Sequence, residues 1–168
     1  MELLISEEKI RQRVRALARQ ISEDFRGREV LLIGVLKGSF IFMADLARKI
    51  KSPVKMDFVR LASYGSGTCT SGEVRLTINL ETSPRDKDVL VVEDIIDTGI
   101  TLQYLLRRLK ARRPKSLRVV TLLDKPSRRQ VTVKVDYTGF RIEDRFVVGY
   151  GIDYAEQFRN LPGIYAME

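Results

Sequence analysis

Three carboxylates lie close together at the end of an apolar run in the segment VLVVEDIIDTGITL, residues 89–102. Glu93 and Asp94 follow four apolar residues, and Asp97 comes two isoleucines later, before a turn at residues 98–101. If the run is a buried parallel strand, these groups lie beyond its carboxyl end, where ligands bind in open α/β sheets. The free backbone N–H groups of a glycine-containing turn at a helix start suit a phosphate. Because three acids would repel that phosphate, we expect them to face sugar hydroxyls or a magnesium ion of the same ligand.

The same pattern has two other interpretations. Asp97 or Thr98 could simply cap the following helix, with the acids as solvated charges, and the residues alone support this equally well. A phospho-acceptor receiver domain also opens with a strand like VLVVED. That strand should lie near the N-terminus, whereas 88 residues precede it here, so we reject the receiver domain and keep the helix cap as an alternative.

The surrounding pattern predicts the elements that position these groups. Helical spacing of apolar residues predicts an opening helix with Ser6 as its N-cap, and two more helices at 40–50 and 101–113. Continuous or alternating apolar runs predict strands at 29–36, 54–61, 74–80, 88–94 and 116–124, with shorter strands at 131–137 and 145–153. Strands and helices alternate along the middle of the chain, which predicts a mostly parallel α/β sheet in a single domain, residues 1–168.

The composition limits the chemistry that is available. There is no histidine, so acid–base or metal chemistry must use Asp, Glu, Lys or Tyr. The single cysteine, Cys69, allows no disulfide within the chain, and no apolar run approaches a membrane span, so we expect a cytoplasmic protein. The net charge of +8 suits nucleic acid or a phosphorylated small molecule. Because no zinc-finger spacing or aromatic RNA-binding signature accompanies the charge, we favour a small anionic substrate.

Five segments, in order along the chain, resemble one enzyme family. VLVVEDIIDTGIT closely resembles the phosphoribosyl-diphosphate (PRPP) signature of type I phosphoribosyltransferases. LLIGVLKGSFIFMADL resembles the pyrophosphate loop of hypoxanthine-guanine phosphoribosyltransferases, and SYGSGTCTSGEV resembles their mobile catalytic loop. LLDKPSRR and RFVVGYGIDYAEQFRNLPGIY resemble their purine-binding and C-terminal segments. The chain is therefore identified as a bacterial-type member of this family.

The resemblance implies a type I phosphoribosyltransferase fold, with a central, mostly parallel β-sheet flanked by helices and a small hood formed mainly by the N-terminal and C-terminal segments. It implies a purine-salvage reaction in which the 5-phosphoribosyl group of PRPP is transferred to hypoxanthine or guanine, giving IMP or GMP and pyrophosphate. Mg²⁺ is the implied cofactor. A homodimer or homotetramer is expected, whereas membranes and nucleic acid are not expected partners.

The resemblance also implies which residues bind PRPP. Glu93 and Asp94 match acids that contact the ribose hydroxyls and that, together with Asp153, hold magnesium. Asp97 matches a proposed general acid or base near purine N7. The implied 5′-phosphate cradle consists of Thr98, Gly99, Ile100 and Thr101. The implied pyrophosphate site consists of Leu36, Lys37, Gly38 and Arg159, and the Leu36–Lys37 peptide can be cis in this family.

The purine site and the lid are implied in the same way. Lys125 matches a lysine that donates to the 6-oxo group of the purine and that would disfavour the 6-amino group of adenine. Phe146 matches a ring that stacks on the base, and Val147 and Ile152 match the rest of the purine site. Ser63 and Tyr64 begin the loop of residues 63–73, which would close over the site and exclude water from an oxocarbenium-like transition state.

Two alternative functions stay open. A relative that prefers xanthine is hard to distinguish, because xanthine and guanine differ at a purine position read mainly by backbone around Val147. A PRPP- or nucleotide-sensing regulator that binds RNA shares the signature, and the +8 charge is compatible with it.

Overall fold

The computed structural model describes residues 1–64 and 73–167, apart from the side chains of Ser63, Tyr64 and Glu73. The strands in this part of the chain are β1 (Glu2–Ile5), β2 (Val30–Leu36), β3 (Val54–Tyr64), β4 (Glu73–Ile78), β5 (Asp88–Ile96), β6 (Ser116–Asp124), β7 (Tyr137–Arg141), β8 (Val147–Val148) and β9 (Ile164–Ala166). The helices are α1 (Glu7–Asp24), α2 (Phe40–Ala47) and α3 (Ile100–Ala111), and a short 3-10 turn spans Pro126–Arg128.

Six strands form the main sheet, in the order β4-β3-β2-β5-β6-β7. Neighbouring strands are parallel, except that β3 and β4 are antiparallel. The predicted fold class, a mostly parallel sheet with helices, is confirmed. From β2 the chain proceeds outward to β3, and from β5 it proceeds outward to β6 on the other side. The carboxyl ends of β2 and β5 therefore flank the switch point at which open α/β sheets form their ligand crevice.

Helices cover both faces of this sheet, which explains why the central strand β2 carries no polar side chain. In β2, Val30 and Leu32 belong to the core beneath α1 and α2, whereas Leu31 and Ile33 belong to the core beneath α3. All four side chains are buried. Successive residues of a strand point to opposite faces, so a strand covered on both faces is a continuous hydrophobic run.

The opening helix begins as its sequence predicts. The side chain of Ser6 accepts a hydrogen bond from the backbone N–H of Lys9 at 3.3 Å, and Glu7 and Glu8 occupy the first turn, where the helix dipole favours acids. Ile5 lies before the cap, in β1, and is not part of the helix. In the described part of the chain, no helix combines the length and the apolar character that a membrane crossing needs.

A second, three-stranded sheet has the order β1-β9-β8, with both pairs antiparallel. Ala166 in its middle strand faces Glu2 on one side and Val147 on the other. The carboxylate of Glu2 also lies 2.7 Å from the guanidinium of Arg145. The start of the chain and residues 145–166 are thereby joined in one layer.

Strand β7 is an edge of the main sheet, and α1 covers part of that edge. From α1, Arg13 donates hydrogen bonds to the carbonyl oxygens of Gly139 at 2.8 Å and Thr138 at 2.6 Å. These carbonyls are therefore satisfied without a further strand.

Two of the predicted strands, 131–137 and 145–153, are largely not strands in the structure. Only Tyr137, the last residue of the predicted strand 131–137, is in a strand. Val133 and Val135 nevertheless pack against the core beneath α3, so the alternation of residues reflects alternate burial without strand pairing. Within 145–153, strand structure is confined to Val147–Val148, and β9, which the sequence pattern does not predict, completes its sheet.

Candidate active site

The end of β5 carries two adjacent carboxylates in buried surroundings. Burial disfavours the charged form, so the pKa of Glu93 lies well above its ordinary value, and the neighbouring charge of Asp94 raises it further. Burial also raises the pKa of Asp94 to about 6, against the opposing effects of backbone N–H groups and of Arg159, while the charge of Asp153 adds to the rise. Perturbed carboxylates at a strand end in the crevice of an α/β sheet mark a candidate functional site.

The loop after β2 lies directly against Asp94. The Leu36–Lys37 peptide is cis. A Cβ atom at position 38 would lie 1.8 Å from Oδ2 of Asp94 and 2.6 Å from its Cγ, so this close approach requires glycine. A Cβ atom on Gly151 would similarly lie 2.2 Å from the carbonyl oxygen of Gly38. Three distant segments of the chain therefore meet at Gly38.

The predicted phosphate turn leads from β5 into α3. Gly99 has a φ angle of 85°, in the left-handed region that favours glycine, and Ile100 is the first helical residue. The hydroxyl oxygen of Thr98 accepts a hydrogen bond from the backbone N–H of Ile100 at 3.3 Å. A cavity of about 130 Å³ opens at the turn, and the polar residues and glycine that line it are Glu93, Asp97, Thr98, Gly99 and Thr101. The cavity thus combines a positive helix end with carboxylates.

Asp97 is held by Arg128, which is not among the site residues that the sequence predicts. Arg128 donates from Nε to Oδ1 of Asp97 at 3.1 Å, and this hydrogen bond raises the pKa of the guanidinium. Arg129 donates to the backbone carbonyl of Asp97 at 3.3 Å and pairs with Asp124 at the end of β6. The only local signal for these contacts is the basic pair in KPSRR.

Lys125 follows β6 immediately and is buried, with 6% of its surface exposed. Its backbone N–H donates to the carbonyl oxygen of Ile96 at 3.0 Å, which connects the ends of β5 and β6. Its Nζ lies 3.7 Å from one carboxylate oxygen of Asp144, and Arg128 lies 3.7 Å from the other. A buried ammonium group with one long ion pair retains capacity to donate to a ligand.

The C-terminal segment presents an aromatic ring to solvent. Phe146 is 53% exposed and meets Tyr154 edge to face, with ring centroids 5.4 Å apart and an interplanar angle of 85°. Val147, in β8, and Ile152 are both buried. An exposed ring that a neighbouring aromatic side chain already orients is suited to stacking on a flat ligand.

The side chains of Lys37 and Arg159, which the family resemblance predicts to bind pyrophosphate, both lie beside the turn at residues 153–157. Arg159 donates from Nη1 to the carbonyl of Gly151 at 2.7 Å, and its Nη2 lies 2.9 Å from Asp153 and 3.5 Å from Glu156. The Nζ of Lys37 lies 2.7 Å from the other carboxylate oxygen of Glu156. Glu156 is not among the site residues that the sequence predicts.

The contacts above connect the predicted residues at the ends of β2, β5 and β6 with residues of the 151–159 segment. Ser63 and Tyr64 end β3, but their side chains and the rest of the predicted lid up to residue 72 lie outside the described residues. Among the residues that the structure describes, no group of three or more His, Cys, Asp or Glu side chains is arranged to hold a metal ion.

Comparisons with known proteins agree with this architecture. Residues 4–155 match the family model described as a phosphoribosyl transferase domain. The hypoxanthine phosphoribosyltransferase of Salmonella typhimurium is 51% identical over 164 residues, covering 96% of this chain and 92% of that protein. The hypoxanthine-guanine phosphoribosyltransferase of Bacillus subtilis is 48% identical over 163 residues, covering 97% and 91%.

The bifunctional protein TilS/HprT of Listeria innocua is 48% identical over 163 residues, and the chain spans only 25% of its length. Among solved structures, a hypoxanthine-guanine phosphoribosyltransferase from Bacillus anthracis has a TM-score of 0.96 at 49% identity, covering 100% of this chain and 99% of that one. The chain therefore belongs to the phosphoribosyltransferase family, within which its relatives of similar length are hypoxanthine and hypoxanthine-guanine phosphoribosyltransferases.

Proposed function

We propose that the protein is a purine-salvage enzyme that transfers the 5-phosphoribosyl group of PRPP to hypoxanthine or guanine, giving IMP or GMP and pyrophosphate. The observation that carries this proposal is the meeting of three features at one edge of the sheet. The first is the loop containing Gly38 after β2, and the second is the pair of acids Glu93 and Asp94 with the start of α3. The third is the buried Lys125 after β6. Each suits a different part of the two substrates.

In the proposed complex, the turn of residues 98–101 binds the 5′-phosphate through backbone N–H groups and hydroxyls at the start of α3. Glu93 and Asp94 accept hydrogen bonds from the ribose hydroxyls. Both carboxyl groups have raised pKa values because they are buried, so hydroxyl donors would stabilise their charged forms. The ribose would thus account for the presence of Glu93 and Asp94 beside a turn that binds phosphate.

The donor set fits Mg²⁺, which binds carboxylate oxygens and usually retains water and substrate oxygens as further ligands. Glu93, Asp94 and Asp153 would each contribute to holding the ion together with PRPP oxygens and water, because the described residues contain no preformed group of three acids arranged to hold a metal. Asp153 contributes to the raised pKa of Asp94, and a cation beside the two groups would relieve that repulsion. The chemistry that the ion supplies when bound is neutralisation of charge on the pyrophosphate leaving group. The pyrophosphate itself would be bound by the Leu36–Lys37 peptide, by Gly38, and by the side chains of Lys37 and Arg159.

Asp97 is the proposed general base. The bond from C1′ to the pyrophosphate oxygen breaks as the bond from purine N9 to C1′ forms, and the proton on N7 passes to the Asp97 carboxylate. Arg128 orients this carboxylate through its Nε hydrogen bond of 3.1 Å. In this proposal Arg128 fixes the orientation of the carboxylate, and Asp97 accepts the proton.

The purine is proposed to lie between Lys125 and Phe146. Lys125 would donate to the 6-oxo group, and a 6-amino group there would set donor against donor. Phe146 would stack on the ring, a contact worth about 1–3 kcal/mol in other base–aromatic pairs. Val147 and Ile152 would form the remaining wall, with backbone groups of Val147 at the purine edge.

Further proposals concern the rest of the molecule. We propose a single domain in which the three-stranded sheet β1-β9-β8 is the hood over the base. Ser63 and Tyr64 would start a lid that excludes water during transfer.

A cytoplasmic homodimer or homotetramer is also proposed, and the exposed apolar side chains of Met56 and Ile78 on β3 and β4 support such an assembly.

A direct assay tests the function. Purified protein with PRPP and Mg²⁺ is offered hypoxanthine, guanine, xanthine or adenine, and nucleotide products are separated chromatographically. We expect IMP and GMP, with little AMP. A lack of turnover with every 6-oxopurine would contradict the proposed function, and a preference for xanthine would select the alternative enzyme.

A further inference from the structure

One carboxylate bridges the two cations assigned to pyrophosphate. Oε2 of Glu156 lies 2.7 Å from Nζ of Lys37, and Oε1 of the same group lies 3.5 Å from Nη2 of Arg159. The hydrogen bond from Lys37 is the main reason why the pKa of Glu156 is below its ordinary value. One carboxylate oxygen therefore contacts Lys37 closely, and the other lies near Arg159, whose nearer carboxylate partner is Asp153 at 2.9 Å.

A strained turn holds Glu156 in this position. Ala155, Glu156 and Phe158 have φ angles of 50°, 64° and 73°, in the left-handed region that non-glycine residues rarely adopt. The backbone N–H of Glu156 donates to Asp153 at 2.9 Å, and Tyr154 and Gln157 exchange backbone hydrogen bonds of 3.1 and 3.0 Å. Several contacts thus maintain the unusual conformation that directs the side chain.

The ion pair between Glu156 and Lys37 is exposed and gives little stability, whereas the Arg159 side chain is only 19% exposed. The side chain of Glu156 is 65% exposed and that of Lys37 is 46% exposed. Exposed pairs contribute little to folding because solvent screens them. A ligand anion can therefore displace the Glu156 carboxylate without unfolding the turn.

We infer that Glu156 is an internal competitor for the pyrophosphate group, and that it lowers the affinity of the site for pyrophosphate by occupying Lys37 and Arg159. This inference rests on the proposed function, because that function assigns pyrophosphate to these two cations. Weaker retention of pyrophosphate favours its release after transfer and reduces product inhibition. Glu156 acts through the cations and takes no part in bond making.

The test compares Glu156→Gln with Glu29→Gln. Both variants remove one negative charge from an exposed Glu–Lys pair, since Glu29 lies 3.4 Å from Lys55 with side chains 48% and 56% exposed. Glu29 precedes β2, at the opposite end of that strand from Lys37. Binding of pyrophosphate with Mg²⁺ is measured by calorimetry, and inhibition by pyrophosphate is measured during turnover.

We expect Glu156→Gln to bind pyrophosphate about two- to fivefold more tightly than wild type, which is the range for loss of an exposed ion pair. The inhibition constant should fall by the same factor, and Glu29→Gln should match wild type. Unchanged or weaker binding in Glu156→Gln would overturn the inference, because Glu156 would then be irrelevant or would position Lys37. Equal tightening in both variants would also overturn it, by attributing the effect to net charge.

The two readouts distinguish this inference from the proposed function. Calorimetry needs no turnover, so tightening in Glu156→Gln supports the inference even if no purine is converted. Conversely, normal purine turnover without tightening leaves the proposed function in place and removes the role of Glu156.

Discussion

Replacing Asp94 by asparagine should stabilise the fold while impairing the site. The pKa of Asp94 is raised from its ordinary value of 3.8 to about 6, chiefly by burial. Below the lower value the carboxyl is neutral in both the folded and the unfolded chain. Above the higher value it is charged in both, and the folded state carries the full penalty. Stability therefore falls as the pH rises through this interval, and asparagine removes the penalty.

The magnitude follows from the size of the pKa change. At about 1.4 kcal/mol per pKa unit, the rise corresponds to about 3 kcal/mol. Because Asp94 is only partly buried by surface area, we expect the free energy of unfolding of Asp94→Asn to exceed that of wild type by about 1–3 kcal/mol near pH 8. The difference should shrink to about a third of that near pH 4.5. Relief of the repulsion on Glu93 acts in the same direction.

Urea unfolding of both proteins at the two pH values measures this difference. Asp86→Asn is the control, because that side chain is 89% exposed and its change should stay within about 0.5 kcal/mol. Equal or lower stability of Asp94→Asn near pH 8 would refute the reasoning, as would a difference that does not depend on pH. Turnover of the variant should fall, since the same carboxyl is proposed to bind ribose and metal, and function and stability would then oppose each other at this position.

Three further substitutions test the assigned roles. Asp97→Asn should lower kcat by about 10²–10⁴-fold while calorimetric PRPP binding persists, because an amide cannot take the purine proton; an unchanged kcat would show that the Asp97 carboxylate serves only as the partner of Arg128, since the N-cap of α3 is Gly99. Lys125→Met should reduce kcat/KM for hypoxanthine by about 10–100-fold, as expected for loss of one charged hydrogen bond, and an unaltered base preference would count against that contact. Gly38→Ala places a Cβ 1.8 Å from Asp94 and should raise KM for PRPP by about 10–100-fold. Gly27→Ala, which meets nothing within 4 Å, should leave KM unchanged, and equal effects of the two alanines would contradict the steric argument.

The pattern of apolar residues predicts a strand correctly where the buried segment is also hydrogen-bonded to a neighbouring strand. Strand β6, residues 116–124, has its predicted bounds because its apolar run is covered on both faces. The segment 131–136 shows the limit of such patterns. Its valines alternate as in a strand and their side chains are partly buried, yet alternation records which side chains are covered and says nothing about pairing of the backbone.

The site divides in a similar way. The acids and turn after β5 are adjacent in the chain, so their meeting follows from one strand and one helix start. The residues alone predict a site for a phosphate together with sugar hydroxyls or a metal ion, and the family resemblance identifies the ligands as PRPP and a purine. Contacts between distant residues have no such local signal. Lys37 and Glu156 are 119 residues apart, and Asp97 and Arg128 are 31 apart, so these pairs depend on the assembled sheet and its loops.

The hydrogen bonds from Arg13 to the backbone of β7 bear on self-association. A sheet edge with free carbonyl groups is a template on which another chain can add a strand, and such addition is a common route to aggregation. The guanidinium occupies the carbonyl oxygens of Thr138 and Gly139, and α1 keeps it in place. Addition of a strand at β7 would therefore have to displace this guanidinium from the two carbonyl oxygens.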